Sequence, residues 1–365
     1  MRILHICSAR EIGGGERYLA DLVKALRLRG HEVFAALRPG SPVRAELASL
    51  PPENIIELPM RNALSVRSAL KLSRFVREHR IEIIHPHLAR DYPIGALAAA
   101  RTAAQLVLTR HVLFPLTRMH RLTLRQTARV IAVSEAVAAG LRAQKIFPSE
   151  KIITIRNGID IDRFAGRREG TWSDRGQRLR VGMTGHLAPI KGQEDFIRAA
   201  AIICRQRNDV QFVIAGEDKS AGGENRAGIE KLIRQLNLDG QVELLGWVDD
   251  VTPLLATLDL FVSPSRSEPF GLSIVEAMAA GVGVVATASE GAREIIADNQ
   301  TGRLVPVGDV ASLAGAIAEL LANRDERDRL ARNALTTART QFSLEGMIER
   351  TEQVYREVVA EGNGA

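Results

Sequence analysis

The segment SRSEPFGLSIVEAMAAG, residues 265–281, has the residue types and the spacing to bind a diphosphate between two sets of hydroxyl groups. A strand ends just before it, a polar loop carries Glu268 to Gly271, and a helix then begins. Gly271 lets a ligand approach the backbone closely, and the first amides of a helix, which lack intrahelical partners, favour an anion. Glu268 and Glu276 could each bind hydroxyls, one on either side of the phosphates. The isolated pattern is equally compatible with an ordinary loop charge and a solvated helix glutamate.

Histidines follow two of the predicted strands, where they invite a metal-binding interpretation. His111 follows the strand LVLTR, and His85 and His87 end the strand IEIIHPH. Alternating strand residues can point the same way, but no third or fourth ligand is apparent, so we predict no metal site and no metal cofactor. We expect His85 and His87 to be structural or to lie on the acceptor side.

The glycine loop Gly13–Gly15 follows the first strand and opens a helix, which is also the position of a dinucleotide-binding fingerprint. Tyr18 stands at the third glycine position of that fingerprint, and the second strand, HEVFAAL, ends without an acidic residue for a ribose. These departures argue against a dinucleotide-dependent oxidoreductase.

Strand and helix signals alternate along both halves of the chain. RILHIC, HEVFAAL and IEIIHPH are strand-like segments of the first half, and VQFVIAG, LDLFVSPS and VGVVATA of the second, with amphipathic stretches between them. This alternation predicts an α/β fold with two doubly wound, Rossmann-like domains, each a parallel sheet covered by helices on both faces. Ligands of such sheets bind beyond the carboxyl ends of the strands, so the cleft between the domains is the expected site.

The predicted domain boundaries follow from one polar stretch. AGRREGTWSDRGQRLR is glycine-bearing and aperiodic, which indicates a linker. We predict a first domain over residues 1–165, a linker over 166–180 and a second domain over 181–340. A charged helical tail follows.

The composition is that of a soluble, cytoplasmic two-domain protein. Among 365 residues, 45% are hydrophobic and 25% are charged, and no apolar run approaches the ~18 residues that span a bilayer. The opening MRILHICSA lacks a cleavage site and is predicted to be the first strand. Cys7 and Cys204 are far apart, which excludes a disulfide framework and a cysteine zinc site.

Positive charge is concentrated in the first half of the chain. Residues 1–170 hold 28 Lys and Arg against 15 Asp and Glu, whereas residues 171–365 hold 21 against 28. A basic half predicts an anionic partner, such as an acidic lipid surface, a phosphorylated glycan or nucleic acid. Residues 110–129 interleave Arg and His with Leu, Phe and Met at helical spacing, so they could form a basic amphipathic helix that touches a membrane or an acidic acceptor. An ordinary surface helix is the alternative.

The two glutamates around PFGLSIVEAMA resemble the E-x7-E signature of the family-4 retaining glycosyltransferases, which have the GT-B fold. Further segments match in the family's order: GGGERYLADLVKAL, VIAVSEAV, IRNGIDIDRF, VGMTGHLAPIKGQEDFIRA, FVIAGED, ELLGWVDD and EIIADNQTGRLVPVGD. The resemblance covers nearly the whole chain. It implies two Rossmann-like domains facing an interdomain cleft, with the C-terminal helix 344–361 completing the first domain.

In the second domain the resemblance implies a site for a nucleotide-diphosphate sugar. Glu268 would hydrogen-bond hydroxyls of the transferred sugar, Glu276 would bind the ribose hydroxyls, and Lys191 would neutralise the phosphates as the glycosidic bond breaks. Backbone contacts would come from four further residues: Gly271 and Leu272 at the diphosphate, and Trp247 and Val248 at the nucleobase.

In the first domain the resemblance implies that Gly14 lets the donor phosphate approach the backbone and that His111 contacts the donor sugar near the anomeric centre. A histidine packed at a strand end is the alternative for His111. One position departs from the family, which usually has Arg where this chain has His186. Arg stays charged and binds phosphate through two bonds, whereas His is often neutral near its usual pKa of ~6.5. Either His186 serves as a donor or a neighbour such as Arg266 replaces the missing cation.

The expected activity is retaining transfer of a sugar, with a UDP-sugar favoured as the donor and an anionic glycan or lipid-linked molecule as the acceptor. The resemblance implies front-face attack. We expect no required metal, because the lysine and the helix amides supply the positive charge. The basic first half and residues 110–129 lead us to expect peripheral contact with the inner face of an anionic membrane. Two alternatives remain: a nucleotide-sugar epimerase of GT-B architecture, and a non-catalytic protein that binds anions or nucleic acid. The two glutamates and the lysine favour the transferase, so we predict no nucleic-acid partner.

Overall fold

The computed structural model describes residues 1–60, 66–164 and 178–363. The chain folds into two compact units, Met1–Asn157 together with Leu344–Ala365, and Gly158–Ser343. The division therefore places residues 158–164 with the second unit, whereas the predicted first domain runs to residue 165.

Seven parallel strands form the sheet of the first unit. They are β1 (Arg2–Cys7), β2 (Glu32–Leu37), β3 (Ile55–Glu57), β4 (Ile83–Pro86), β5 (Gln105–Arg110), β6 (Thr127–Ala132) and β7 (Ile152–Thr154). Their order in the sheet is β3–β2–β1–β4–β5–β6–β7. The winding direction therefore changes between β1 and β4, which is where sheets of this kind bind ligands at the carboxyl ends of their strands.

The helices before β7 cover this sheet. They are α1 (Gly14–Leu28), α2 (Val43–Glu46), α3 (Val66–Glu78), α4 (Tyr92–Ala99), α5 (Arg118–Thr123) and α6 (Glu135–Gln144), with short 3-10 turns at Pro52–Asn54 and Ser149–Lys151. In α1, Leu19, Leu22, Val23 and Leu26 are fully buried, and this helical spacing turns one face of the helix to the core. The Ser134 hydroxyl accepts a hydrogen bond from the Val137 amide and caps α6.

The predicted helix over residues 110–129 is wrong in extent. Residue 110 ends β5, residues 111–117 form a loop, α5 has only six residues, and β6 begins at Thr127. Pro115 lacks an amide donor and disfavours helical conformation in the residue before it, and the flanking segments pair into the sheet instead.

Six parallel strands form the sheet of the second unit. They are β8 (Leu179–Thr184), β9 (Val210–Ala215), β10 (Val242–Gly246), β11 (Leu260–Ser263), β12 (Gly283–Thr287) and β13 (Arg303–Val305). The order is β10–β9–β8–β11–β12–β13, so the winding direction changes between β8 and β11. Both sheets are parallel and covered by helices, and the predicted α/β class with two doubly wound halves is confirmed.

The helices of the second unit follow the predicted alternation. They are α7 (Gln193–Cys204), α8 (Glu224–Gln235), α9 (Thr252–Leu255), α10 (Leu272–Ala279), α11 (Glu290–Ile295), α12 (Val310–Ala322) and α13 (Arg324–Gln341), with 3-10 turns at Pro189–Lys191 and Ala221–Gly223. The predicted linker over 166–180 lies largely outside the described residues. Its last two residues already belong to β8, because the Leu179 amide bonds to the Asp209 carbonyl at 2.8 Å and the Arg180 amide to the Asp259 carboxylate at 2.7 Å.

The last helix, α14 (Leu344–Asn363), returns to the first unit. Glu352 on α14 is nearly buried and binds Arg29 at 3.0 Å and His31 at 2.9 Å, just after α1. The Tyr355 hydroxyl, also buried, lies 2.5 Å from His85 Nδ1 at the end of β4. Burial and these polar contacts fix the helix against α1 and β4. None of the helices in the described residues is long and apolar enough to cross a membrane.

Candidate active site

The sequence-predicted donor residues of the second unit lie at one edge of its sheet. His186 follows β8, Trp247 and Val248 follow β10, and Glu268 follows β11, each just beyond the carboxyl end of its strand. Because all strands are parallel, these ends meet at the same edge. The α10 helix, which carries Glu276, begins there.

Lys191 and Glu268 form an ion pair at this edge. Lys191 Nζ lies 2.6 Å from Glu268 Oε2, and the side chain of Glu268 is only 11% exposed, so water screens the pair weakly. Ser265 Oγ donates to the same Oε2 at 3.5 Å, and the Glu268 amide donates to Glu290 at 3.2 Å. Among the described residues every side-chain bond of Glu268 goes to Oε2. The glutamate is held in a defined rotamer, with a cation beside it.

Gly192 brings the lysine turn against the end of β11. Its φ is +74°, a left-handed conformation that glycine adopts without strain. A Cβ built at Gly192 would lie 2.0 Å from the Pro264 carbonyl oxygen. The close backbone approach that positions Lys191 beside Glu268 therefore requires glycine at this position.

Gly271 opens the α10 helix and leaves its first amides directed outward. Its φ is +115°, and the amides of Ile274 and Val275 donate to its carbonyl at 3.0 and 3.3 Å. The amides before them have no carbonyl of the helix to bind, and the helix dipole places partial positive charge at this end. Leu272 is the first helical residue, and Glu276, half-buried, lies one turn further along.

His186 stands where the family usually has an arginine that binds phosphate, and its surroundings do not supply a second cation in the simplest way. The His186 ring stacks on the Trp247 indole, with ring centroids 6.3 Å apart and 15° between the planes. Arg266 cannot readily replace the missing arginine, because its Nη2 donates to both carboxylate oxygens of Asp195 at 3.0 and 3.1 Å. Asp195 is buried, so removing Arg266 from it would leave a buried charge unpaired.

In the first unit the glycine loop contacts His111. Gly14 is the first residue of α1, and a Cβ added at Gly15 would lie 3.5 Å from the His111 ring. Tyr18, one turn into α1, meets the same ring edge-on at a centroid distance of 4.9 Å. Glu16 accepts a hydrogen bond from the Gly13 amide at 3.0 Å and fixes the start of the helix. Gly14 and His111 thus occupy one edge of the first sheet, at the ends of β1 and β5.

A third buried imidazole, His5, joins His85 and His87, although no local sequence pattern points to it. The three offer ligand nitrogens within 4.8 Å of one another, a spacing that could hold a metal ion. The expectation that no third ligand exists is therefore wrong. The clue lies in strand order, since β1 and β4 are neighbours and His5 pairs in register with His85. Both nitrogens of His85 already meet hydroxyl groups, those of Tyr355 at 2.5 Å and Thr109 at 2.7 Å.

These histidines form a chain of hydrogen bonds that ends at His111. His5 Nδ1 lies 3.0 Å from His87 Nε2, and His87 Nδ1 lies 3.5 Å from His111 Nε2. Burial lowers the pKa of His5 to about 3 and the pKa of His87 far below its ordinary value. Burial, and to a smaller extent the Arg110 guanidinium, lower the pKa of His111 to about 3. All three rings are therefore neutral at pH 7, each with one donor and one acceptor nitrogen.

The direction of these hydrogen bonds determines which ring nitrogen of His111 carries the proton. His5 Nε2 is buried with no partner among the described residues, and a buried lone pair without a donor is better tolerated than a buried N–H without an acceptor. We therefore assign the His5 proton to Nδ1, which donates to His87 Nε2. His87 in turn donates from Nδ1 to His111 Nε2, so His111 carries its proton on Nδ1. The ring would present that N–H as a hydrogen-bond donor.

Comparison with known protein families matches both halves of the chain. Residues 12–163 match the model of "Glycosyltransferase Family 4", and residues 172–337 match that of "Glycosyl transferases group 1". A lipopolysaccharide core biosynthesis glycosyltransferase, LpsE, of Rhizobium meliloti is 29% identical over 355 residues, which cover 96% of this chain and 97% of the relative. The N-acetyl-alpha-D-glucosaminyl L-malate synthase of Bacillus anthracis is 26% identical over 95% of each chain.

Solved structures share the fold over nearly the full length. A glycosyltransferase from Rickettsia africae superposes with a TM-score of 0.86 at 23% identity and covers 98% of each chain. Anabaena Alr3699/HepE, solved in complex with UDP and glucose, superposes with a TM-score of 0.84 at 24% identity and covers 98% of this chain and 100% of its own. These likenesses establish the GT-B fold.

Proposed function

The chain belongs to the glycosyltransferases of family 4, and we propose that it is a retaining enzyme that transfers a sugar from a UDP-sugar to a glycan or lipid-linked acceptor. The observation that carries this proposal is the ion pair of the half-buried Lys191 with the buried Glu268, beside the N-terminus of α10. A lysine and outward-directed helix amides supply positive charge for a diphosphate, while the carboxylate supplies acceptors for sugar hydroxyls.

Donor binding would redistribute the contacts of Lys191. In the free enzyme its ammonium neutralises Glu268, and it has three N–H donors, of which the ion pair uses one. A diphosphate held at the amides of Gly271 and Leu272 would take the others. Glu268 would then accept hydrogen bonds from the transferred sugar, and Glu276 would bind the ribose hydroxyls.

The nucleobase would meet the end of β10. Trp247 and Val248 follow that strand, and the Gly246 carbonyl is already bound to the Gly216 amide at 2.7 Å. Backbone contacts of this kind discriminate weakly among bases. The choice of UDP is supported by the HepE complexes with UDP and with UDP-glucose, proteins that share this fold.

The proposed mechanism is departure of the diphosphate followed by attack from the same face. As the glycosidic bond breaks, negative charge grows on the leaving phosphate, and Lys191 and the helix amides stabilise it electrostatically. The departing phosphate accepts the proton of the attacking acceptor hydroxyl. His111 is neutral and would donate its Nδ1–H to the transferred sugar rather than act as a base. Because the lysine and the amides provide the positive charge, we propose that no metal is required.

Peripheral contact with an anionic membrane is part of the proposal. Phe114 and Leu122 are 71% and 75% exposed, in a segment that also exposes Arg121 and Arg125. Exposed apolar side chains with neighbouring cations favour an anionic lipid surface on the cytoplasmic side. Co-sedimentation with phosphatidylglycerol vesicles should weaken when Phe114 and Leu122 are both replaced by Ser.

A donor panel tests the proposed function. UDP-, GDP- and ADP-sugars are compared by thermal shift, since a ligand at 100 times its dissociation constant adds ~2.7 kcal/mol of stability. UDP-sugars should stabilise the protein, and the sugar should then be transferred with retention of its anomeric configuration to a sugar-phosphate or lipid-linked acceptor. Isomerisation of UDP-N-acetylglucosamine without any acceptor would indicate an epimerase instead, and no stabilisation by any of the three would refute the proposal.

A further inference from the structure

Three arginines surround a hollow in the first unit. Arg10 follows β1, Arg38 directly follows β2, and Arg90 follows β4, so all three lie at the carboxyl edge of neighbouring strands. Together they line a hollow of about 430 Å³. Within residues 1–60, 66–164 and 178–363, none of their side chains makes a hydrogen bond or an ion pair. A volume of this size is that of a small-molecule site.

Some other arginines of the first unit do form ion pairs. Arg2 pairs with Glu32 at 2.9 Å and Arg29 with Glu352 at 3.0 Å, although both arginines lie on the surface. Three like charges that line one hollow repel one another, and Asp91, on which Arg90 acts electrostatically, balances only one of them. A bound anion would relieve that repulsion and fill the hydrogen-bonding capacity of the guanidinium groups.

The floor of the hollow fixes its shape and its charge. Ser8 lines it, but the Ser8 amide and hydroxyl donate to Asp91 at 2.8 and 2.5 Å, so their donors point away from the hollow. Asp91 is fully buried behind Ser8, and its single carboxylate cannot balance three guanidinium groups. The three guanidinium groups therefore keep an excess of positive charge, which suits a phosphate monoester of −1.5 to −2 better than one carboxylate.

The remaining wall is apolar. Pro39, Pro59 and Met60 complete the lining, and they offer van der Waals contact rather than hydrogen bonds. Such a wall suits the carbon face of a sugar ring whose phosphate lies among the arginines. A compact hollow with one apolar wall also differs from the extended basic stripe that would follow a nucleic-acid backbone.

We propose that Arg10, Arg38 and Arg90 bind a phosphate group on the acceptor, and that the acceptor is a phosphorylated sugar. The hollow lies at the same edge of the first sheet as Gly14 and His111. The identification as the acceptor site rests on the proposed function. Phosphate binding itself does not.

Calorimetric titration with glucose 6-phosphate, inorganic phosphate and glucose tests this site. UDP is present at saturation throughout, so that the donor site is filled. Two triple variants are compared. The hollow variant is Arg10→Gln/Arg38→Gln/Arg90→Gln. The α3 variant is Arg67→Gln/Lys71→Gln/Arg74→Gln, which removes the same charge from three exposed positions of α3. Glucose 6-phosphate should bind the wild type and the α3 variant alike. It should bind the hollow variant at least ~10-fold more weakly, since the loss of even one charge-assisted contact weakens binding by about that factor. Glucose alone should not bind.

Separate outcomes distinguish the two proposals. If UDP binds but glucose 6-phosphate does not, or binds the hollow variant as tightly as the α3 variant, the phosphate site is refuted and the donor site stands. If UDP does not bind while phosphate binding still depends on the three arginines, the glycosyltransferase proposal fails and the phosphate site stands. If the hollow variant loses only its binding to phosphatidylglycerol vesicles, the arginines serve a lipid surface and the proposal is refuted.

Discussion

At the scale of single residues, the proposed donor site depends on two opposite charges, and we propose that a diphosphate replaces part of the contact between them. Lys191 and Glu268 are 2.6 Å apart and largely shielded from water. Charges arranged in advance in this way cost little reorganisation when negative charge develops on a leaving group. The same pair makes each residue dependent on the other, because removing one leaves a poorly solvated charge.

We predict that Lys191→Ala and Glu268→Ala each lower turnover by at least ~100-fold, because each removes a group that interacts with the transition state. Initial rates of sugar transfer measure this effect. Lys231→Ala and Glu230→Ala, at an exposed and a half-buried position of α8, are the matched controls and should keep normal rates. Near-normal rates in both Lys191→Ala and Glu268→Ala would remove the assignment.

The sequence indicated a shared site where the residues lie in one local segment, and it missed contacts that depend on strand order. Glu268, Gly271 and Glu276 lie within one loop and one helix, so their spacing alone indicated a shared site. His5 belongs to the histidine cluster only because β1 lies beside β4, which no local pattern reveals. The pairing of Arg266 with Asp195 was equally hidden, since these residues come from separate segments of the chain.

At the scale of elements, the turn that carries Lys191 depends on glycine. We predict that Gly192→Ala destabilises the protein by ~2–4 kcal/mol, because a positive φ and a Cβ contact with backbone both add strain. UDP affinity should also fall, since Lys191 would shift. Thermal unfolding and calorimetry measure the two effects.

The matched control for this prediction is Gly228→Ala. Gly228 lies inside α8, where an added Cβ meets nothing within 4 Å. Alanine there should stabilise the helix by ~0.5–1 kcal/mol and leave UDP binding unchanged. Equal behaviour of the two variants would contradict the role given to the turn.

The boundaries of helices and strands were less predictable where charged and apolar residues alternate. Residues 110–129 have helical spacing, yet only Arg118–Thr123 is helical. Tertiary pairing decides the outcome, because both ends of the segment extend strands that are already in the sheet. The exposed Phe114 and Leu122 nevertheless keep the amphipathic character from which membrane contact was predicted.

At the scale of the whole molecule, the buried histidines make the stability of the first unit sensitive to acid. Burial lowers the pKa values of His5, His85, His87 and His111, so they stay neutral in the folded protein. In the unfolded chain each takes up a proton near pH 6.5. The stabilising contribution is thus complete above pH 6.5 and is lost as the pH falls.

We predict a loss of about 1.4 kcal/mol per histidine between pH 7.5 and pH 5.5. Asp91 offsets part of this loss, because burial raises its pKa to about 6 and protonation below that value favours the folded state. Urea unfolding at the two pH values measures the difference. His87→Gln should show a smaller pH dependence than the wild type, whereas His79→Gln, outside the cluster, should match the wild type. An unchanged dependence in His87→Gln would contradict a neutral, buried His87.

The central claim is that a nucleotide diphosphate binds where α10 begins, beside Lys191. Hydrogen–deuterium exchange with and without saturating UDP tests it most directly, because exchange locates the contact on the chain. We predict slower exchange at residues 185–191, 246–248 and 268–276, and little change elsewhere in the second unit. Binding of UDP with protection confined to other segments would contradict the account.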